Sequence, residues 1–132
     1  MIKRLFLRLL AAVTRPLMRR PSPLGVRRVL VLKPDHLGDL LLTTPALQTL
    51  RQHLPAGRIV ALVGPWSRQL WQGHPALDAV VPLPFPGFAR LPTEQRGWLF
   101  LLFKYGLLLR HERYDAALLL RDDHWWGAVL IA

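Results

Sequence analysis

The chain has 132 residues, enough for one domain with a buried core, and 52% of them are hydrophobic. This composition excludes a disordered chain, and the absence of cysteine excludes a disulfide framework and thiolate metal sites. Eighteen lysines and arginines against eight acids give a net charge of +10, which favours an anionic partner such as nucleic acid, anionic lipid or a phosphorylated sugar.

The basic residues are concentrated at the start of the chain, before its first acid, Asp35. On a helical wheel of residues 1–15, Arg4, Arg8 and Arg15 fall on one side and the apolar residues spread over the other. This pattern is typical of an amphipathic helix on an anionic membrane surface, and a helix packed on the protein's own body is the alternative.

The proline and glycine content of residues 20–25 indicates a linker. We therefore divide the chain into residues 1–25, a basic helix and linker, and residues 26–132, a single domain. No apolar segment reaches the roughly 20 residues that a membrane-spanning helix needs, so no such helix is predicted.

The most informative segment joins a strand to a helix. Residues 29–32 form an unbroken apolar run, typical of a strand buried on both faces, and Pro34 ends it, so the first strand is predicted at about residues 28–32. Gly38 and Asp39 then open a leucine-rich helix that extends to about residue 53. The predicted buried stripe of this helix is Leu40, Leu41, Leu47, Leu50 and Leu54.

Pro45 interrupts the pattern of this helix. It either kinks the helix or occupies the first position of a second segment that Thr44 caps, and the sequence leaves both open.

The later elements alternate in type. Strands are predicted at residues 58–63, 77–83 and 115–120, and helices at residues 66–73 and 97–113, with a last helix capped by Asp122 or Asp123. This alternation predicts right-handed βαβ units and an α/β fold with a Rossmann-like parallel sheet and flanking helices. Because the sequence stops within an apolar helical pattern, we expect the chain to be an N-terminal fragment of a longer protein.

The junction of the first strand and helix is the candidate site, since open α/β sheets bind ligands at the carboxyl ends of their strands. The Asp39 carboxylate, the His36 imidazole and backbone N–H groups near Gly38 converge there. Each has a plainer explanation: Asp39 as a favourable charge at a helix N-terminus, Gly38 as a turn residue, and His36 as a solvated histidine. Neither GxGxxG nor GxxxxGK[ST] is present, so a standard dinucleotide site or P-loop is not supported.

Residues 33–47 read KPDHLGDLLLTTPAL, which resembles the N-terminal signature of the heptosyltransferases of glycosyltransferase family 9. Two later segments, ALVGPWS at 61–67 and RDDHWWGA at 121–128, are similar to the same family. The resemblance covers the chain from Val26 onward. It implies the N-terminal, acceptor-side half of a GT-B fold, in which two Rossmann-like domains face each other and the second holds most of the nucleotide-sugar.

The resemblance also implies a function. Family members of the ADP-heptose:lipopolysaccharide heptosyltransferase type are inverting enzymes, so we expect transfer of heptose or a related sugar from a nucleotide-sugar to lipopolysaccharide or another cell-envelope glycan. Asp39 matches the family's proposed general base, and Lys33 matches the basic residue that ends the first strand. The expected substrate-binding residues are Lys33, His36, Leu37, Gly38 and His124. No metal or other cofactor is expected, because no DxD motif occurs.

The expected location is the cytoplasmic face of the cell membrane, with residues 1–15 as a peripheral anchor and no nucleic-acid partner. Without a second domain, the chain alone is expected to be inactive. Two alternatives stay open: a non-catalytic membrane-associated protein of the same fold and, less favoured, a basic nucleic-acid-binding module, for which no recognition motif is present.

Overall fold

The computed structural model of the protein describes residues 25–85 and 98–121, together with Gly127 and Leu130. The predictions for residues 1–24, for most of the loop after residue 82 and for His124 lie outside the described residues.

Four parallel strands form one sheet in the order β3-β2-β1-β4. The strands are β1 (Arg28–Lys33), β2 (Arg58–Val63), β3 (Ala79–Pro82) and β4 (Ala116–Leu119). Arg28 pairs with Arg58 and Val29 with Ala116, so β1 lies in the interior of the sheet between β2 and β4. The prediction of a Rossmann-like parallel sheet is therefore confirmed.

Helices cover both faces of this sheet. They are α1 (Leu37–His53), α2 (Arg68–Trp71) and α3 (Trp98–Glu112). Alternate residues of β1 point to opposite sides: Val29 and Val31 pack with α1 and α2, whereas Leu30 and Leu32 pack with α3. Burial on both faces explains why β1 and β2 are continuous apolar runs in the sequence.

Helix α1 begins at Leu37, one residue earlier than predicted, with His36 as its extended N-cap residue. It continues without interruption through Pro45, so the predicted alternative of a second helical segment is not formed. Pro45 lacks the N–H that would bond the carbonyl of Leu41.

The buried stripe of α1 is narrower than predicted. Leu40 and Leu47 are buried, and Leu50 and Leu54 pack against the same cluster. Leu41 is 60% exposed, so its predicted burial is wrong. One residue is about 100° of rotation on an α-helix, which turns Leu41 away from the sheet when Leu40 faces it.

Several elements are shorter than predicted. β4 covers residues 116–119 instead of 115–120, and α3 ends at residue 112 instead of 113. β3 covers residues 79–82 instead of 77–83, and Asp78, which precedes it, accepts a hydrogen bond from the N–H of Ile59 through its carboxylate. α2 covers residues 68–71 instead of 66–73, because Trp66 and Ser67 lie in a turn and donate hydrogen bonds to the carbonyl oxygen of Asp35.

No helix in the described ranges is long and apolar enough to cross a membrane.

The side chain of Arg51, near the end of α1, contacts the segments that precede β2 and β3. Its guanidinium donates to the carbonyl oxygens of Leu54 and Gly57, at 3.2 and 2.6 Å, and to that of Ala76 at 3.1 Å. It also forms an ion pair of 2.6 Å with the Asp78 carboxylate. Of these acceptors, the Leu54 carbonyl belongs to the end of α1, where carbonyl groups lack intrahelical donors, and the other two lie in the loops before β2 and β3.

Two acids hold the amino ends of the strands together. Oδ2 of Asp115 accepts hydrogen bonds from the backbone N–H groups of Arg27 and Arg28, each at 2.8 Å. Oδ2 of Asp78 accepts one from the N–H of Ile59 at 2.6 Å. Both carboxylates lie at the edge of the sheet opposite the predicted site, so we assign them to the fold.

The Asp115 contacts predict a pH dependence of stability. The N–H groups of Arg27 and then Arg28 favour the ionised carboxylate and lower the pKa of Asp115 below its ordinary value of 3.8. As the pH falls, the unfolded chain binds a proton at this carboxyl before the folded chain does. The contribution is therefore nearly complete above about pH 5 and is lost as the pH falls through the lower, folded pKa. We expect Asp115→Asn to be less stable than the parent at pH 6, and the difference in free energy of unfolding to shrink at about pH 2. Urea unfolding at both pH values tests this, and a difference independent of pH would contradict it.

Candidate functional site

The carboxyl end of β1 leads into α1 through a three-residue loop, Pro34, Asp35 and His36. Asp35 is buried, with 2% of its surface exposed, which is unusual for an acid in a loop. Nζ of Lys33 lies 2.7 Å from its Oδ2, and Nη1 of Arg121 forms an ion pair and hydrogen bond with its Oδ1. The buried carboxylate is therefore compensated by two cations, as a buried charge requires.

The contact between Lys33 and Asp35 is an ion pair without hydrogen-bond alignment, since Oδ2 has no aligned donor within the described part of the chain. The Lys33 ammonium instead donates a hydrogen bond of 2.9 Å to the carbonyl oxygen of Leu120, directly after β4. Lys33 thus joins the ends of two neighbouring strands.

The backbone of Asp35 is fixed as well as its side chain. Its carbonyl oxygen accepts hydrogen bonds from Oγ of Ser67 at 2.7 Å and from Nε1 of Trp66 at 3.1 Å. The indole of Trp66 lies directly against Gly64, where any Cβ atom would overlap the ring. Gly64 is therefore required for this close approach. The loop before α1 is anchored from β1, from β4 and from the turn after β2.

Asp39 differs from Asp35 in its burial and in the partners of its carboxylate. It lies in the first turn of α1 and is exposed. Its backbone carbonyl accepts a hydrogen bond of 2.6 Å from Oγ1 of Thr43, but no described residue forms a hydrogen bond or ion pair with its carboxylate. The Asp39 carboxylate is open to solvent at the carboxyl edge of the sheet.

The residues around Asp39 leave room for a ligand. A Cβ atom at Gly38 would meet nothing within 4 Å. His36 is exposed, and its ring centroid lies 6.1 Å from that of Trp66 at an angle of 43°. Leu37 and Leu41 are 51% and 60% exposed and form an apolar border one turn apart.

The N-terminus of α1 presents backbone donors. The N-cap residue His36 makes no side-chain capping bond, and the hydrogen bond from Leu40 N to His36 O, at 3.2 Å, is the first of the helix. The N–H groups of Leu37, Gly38 and Asp39 therefore have no intrahelical acceptor. Together with the positive end of the helix dipole, they can bind an anionic group.

The structure brings five of the predicted site residues to one edge of the sheet: Lys33, His36, Leu37, Gly38 and Asp39. Their roles stay predictions, and His124 lies outside the described residues. Among the described residues, no cluster of three or more histidines, cysteines or acids could hold a metal ion.

Sequence reasoning missed the anchoring residues Asp35, Arg121, Trp66 and Ser67. One signal for the ion pair was available: Asp35 and Arg121 follow the predicted strands 28–32 and 115–120 within three residues. In the structure each comes two residues after its strand, β1 or β4. The ends of neighbouring parallel strands meet at one edge, so opposite charges at equivalent positions are candidates for a pair.

The chain is similar in sequence to known glycosyltransferases. The chain is 29% identical over 96 residues to lipopolysaccharide heptosyltransferase 2 of Escherichia coli (strain K12) and, at the same identity and length, to that of Salmonella typhimurium (strain LT2). Each match covers 73% of this chain and 26% of the relative, so the chain spans about a quarter of the length of these curated relatives. No protein-family model matches the chain.

The fold has a counterpart among solved structures. The crystal structure of the glycosyl transferase family 9 from Veillonella parvula DSM 2008 superposes with a TM-score of 0.66 at 21% identity. The superposition covers 83% of this chain and 30% of that one. The resemblance predicted from residues 33–47 is therefore confirmed: this chain is heptosyltransferase-like in sequence and has the fold of a glycosyltransferase family 9 domain.

Proposed function

We propose that this chain forms the acceptor-side half of an inverting glycosyltransferase, which transfers heptose or a related sugar from a nucleotide-sugar to lipopolysaccharide or another envelope glycan. The observation that supports this best is the contrast between the two acids of the first loop and helix. Asp35 is buried between two cations, whereas Asp39 is exposed beside the open space at Gly38. Of these two carboxylates, Asp39 is the one accessible to a substrate proton.

In the proposed reaction, the Asp39 carboxylate takes the proton of an acceptor hydroxyl as that oxygen attacks the anomeric carbon of the sugar. The bond from this carbon to the diphosphate oxygen breaks on the opposite face, and the leaving nucleoside diphosphate takes the electron pair. The configuration at the anomeric carbon is therefore inverted. The chemistry requires no metal when N–H groups and cations stabilise the developing negative charge.

The surrounding groups have distinct roles in this proposal. The N–H groups of Leu37 and Gly38 bind an anionic part of the acceptor or donor, and His36 borders the cleft. Lys33 is proposed to add positive charge at the end of β1, although its ammonium also holds Asp35 and the Leu120 carbonyl oxygen in place.

The proposal is tested with a chimera, in which the matched 96 residues of this chain replace the corresponding segment of the E. coli heptosyltransferase 2. We expect the purified chimera to transfer heptose from the nucleotide-heptose to a lipopolysaccharide core acceptor, and NMR of the product to show inversion at the anomeric carbon. The chain by itself is expected to give no turnover. A folded chimera without transfer under conditions in which the parent enzyme is active, or a product with retained configuration, would contradict the proposal.

A further inference from the structure

Helix α3 has apolar side chains on two opposite faces. The inner face, which packs on the sheet, is formed by Leu101, Tyr105 and Leu109. On the outer face, Phe100, Phe103 and Leu107 are 67%, 68% and 53% exposed. Spacings of three and four residues place these side chains in one stripe along the helix. Single exposed apolar residues are common on protein surfaces, but two phenylalanines and a leucine in one stripe form a patch.

Basic residues border this outer face. Lys104 and His111 lie on one side of the stripe and Arg110 on the other, and all three are exposed. The one acid in the sequence of α3, Glu112, lies toward the packed side, with its carboxylate 3.5 Å from Nη2 of Arg28. The outer face therefore combines an apolar centre with positively charged borders.

We propose that the outer face of α3 docks on an anionic lipid surface. Phe100, Phe103 and Leu107 enter the boundary between headgroups and acyl chains, while Lys104 and Arg110 contact lipid phosphates. An apolar stripe with a basic border is the pattern that lies in a membrane interface. A second copy of this chain is disfavoured as the occupant, because two such faces would bring their basic residues together. The contact is separate from the one predicted for residues 1–15.

The absence of cysteine allows a local test on the full chain. Leu107→Cys provides a unique thiol on the outer face, and an environment-sensitive fluorophore attached there reports entry into lipid. Gln52→Cys is the matched control, since Gln52 is exposed on α1, which packs on the other face of the sheet. We expect vesicles of phosphatidylcholine and phosphatidylglycerol to shift the emission at residue 107 to the blue. The shift should be absent at residue 52, and should be much smaller with phosphatidylcholine alone.

Variants of the outer face test both components in the labelled chain. Phe100→Ser with Phe103→Ser, and separately Lys104→Glu with Arg110→Glu, should each raise the lipid concentration for the half-maximal shift at least about tenfold. Leu42→Ser is the matched control, because Leu42 is 81% exposed on α1 and should leave the shift unchanged. Charge reversal of Arg4, Arg8 and Arg15 should weaken overall binding, but the fraction still bound should keep the shift at residue 107.

Several results would overturn the proposal. A shift that grows with protein concentration in the absence of vesicles would identify a second copy as the occupant. An equal shift with neutral vesicles would remove the role of anionic lipid. A chain that binds anionic vesicles without any shift at residue 107 would assign membrane binding to another surface, and circular dichroism of each labelled variant excludes misfolding as the reason.

Discussion

Asp39→Asn is expected to lower kcat of the chimera by about 10²–10⁴-fold, the range typical of general-base catalysis. Asparagine has nearly the size of aspartate and still accepts hydrogen bonds, but its amide cannot take the proton of an acceptor hydroxyl. The rate that decreases is therefore that of the chemical step. In free energy it corresponds to about 3–5 kcal/mol of activation barrier.

The same substitution should cost little stability. The carboxylate is exposed and has no hydrogen bond or ion pair with described residues, so the charge at the helix N-terminus is its main contribution to the fold. That interaction is typically worth about 0.3–1 kcal/mol at an exposed site. Urea unfolding of the 132-residue chain measures this value, and single-turnover kinetics of the chimera measures the chemical step.

The plainer explanation of Asp39, as a charge favouring the helix, predicts nearly the reverse result. It gives a similar small loss of stability with turnover almost intact. A decrease in kcat of less than about tenfold would therefore identify Asp39 as a helix-terminal charge, and the base would lie elsewhere. Asp39→Glu is a useful comparison, because it keeps a carboxylate but displaces it.

β1 and β2 were predictable because each is buried on both faces and therefore appears in the sequence as a continuous apolar run. β2 covers the predicted residues, and β1 extends one residue further, to Lys33. The face of α1 that packs on the sheet was harder to predict, because Leu40, Leu41 and Leu42 are consecutive and any of them could have faced the sheet. Only the packing of the helix shows that Leu40 is buried, while Leu41 and Leu42 are 60% and 81% exposed.

The buried acid of the site was not predictable from local pattern. Asp35 follows a proline in a short polar loop, where an acid is ordinarily solvated. What makes it a buried residue is the approach of Arg121, 86 positions later in the chain, together with Ser67 and Trp66 from the turn after β2. Such contacts depend on the strand order, which brings the ends of β4, β1 and β2 to one edge. The resemblance directed attention to Asp39 and gave no role to Asp35.

The second large effect is expected at Asp35. Asp35→Asn should lower the free energy of unfolding by roughly 3 kcal/mol, because it leaves two cations facing each other around a neutral amide. The side chain of Lys33 is 11% exposed and that of Arg121 is 32% exposed, so water relieves this repulsion more at Arg121 than at Lys33. We therefore place the effect at the lower end of the 3–5 kcal/mol that removal of one partner from a buried ion pair typically costs.

A double-mutant cycle with Lys33→Met separates this electrostatic effect from a general disturbance of the loop. Methionine keeps an unbranched apolar chain at residue 33 but removes the ammonium, so Asp35→Asn should cost at least about 1 kcal/mol less in that background than in the parent. Asp39→Asn serves as the control, since it removes an acid four residues away that has no cationic partner among the described residues. Equal costs of Asp35→Asn in both backgrounds would mean that Lys33 and Asp35 are not coupled. A fully stable Asp35→Asn chain would mean that desolvation of the buried carboxylate cancels the attraction of its two cations.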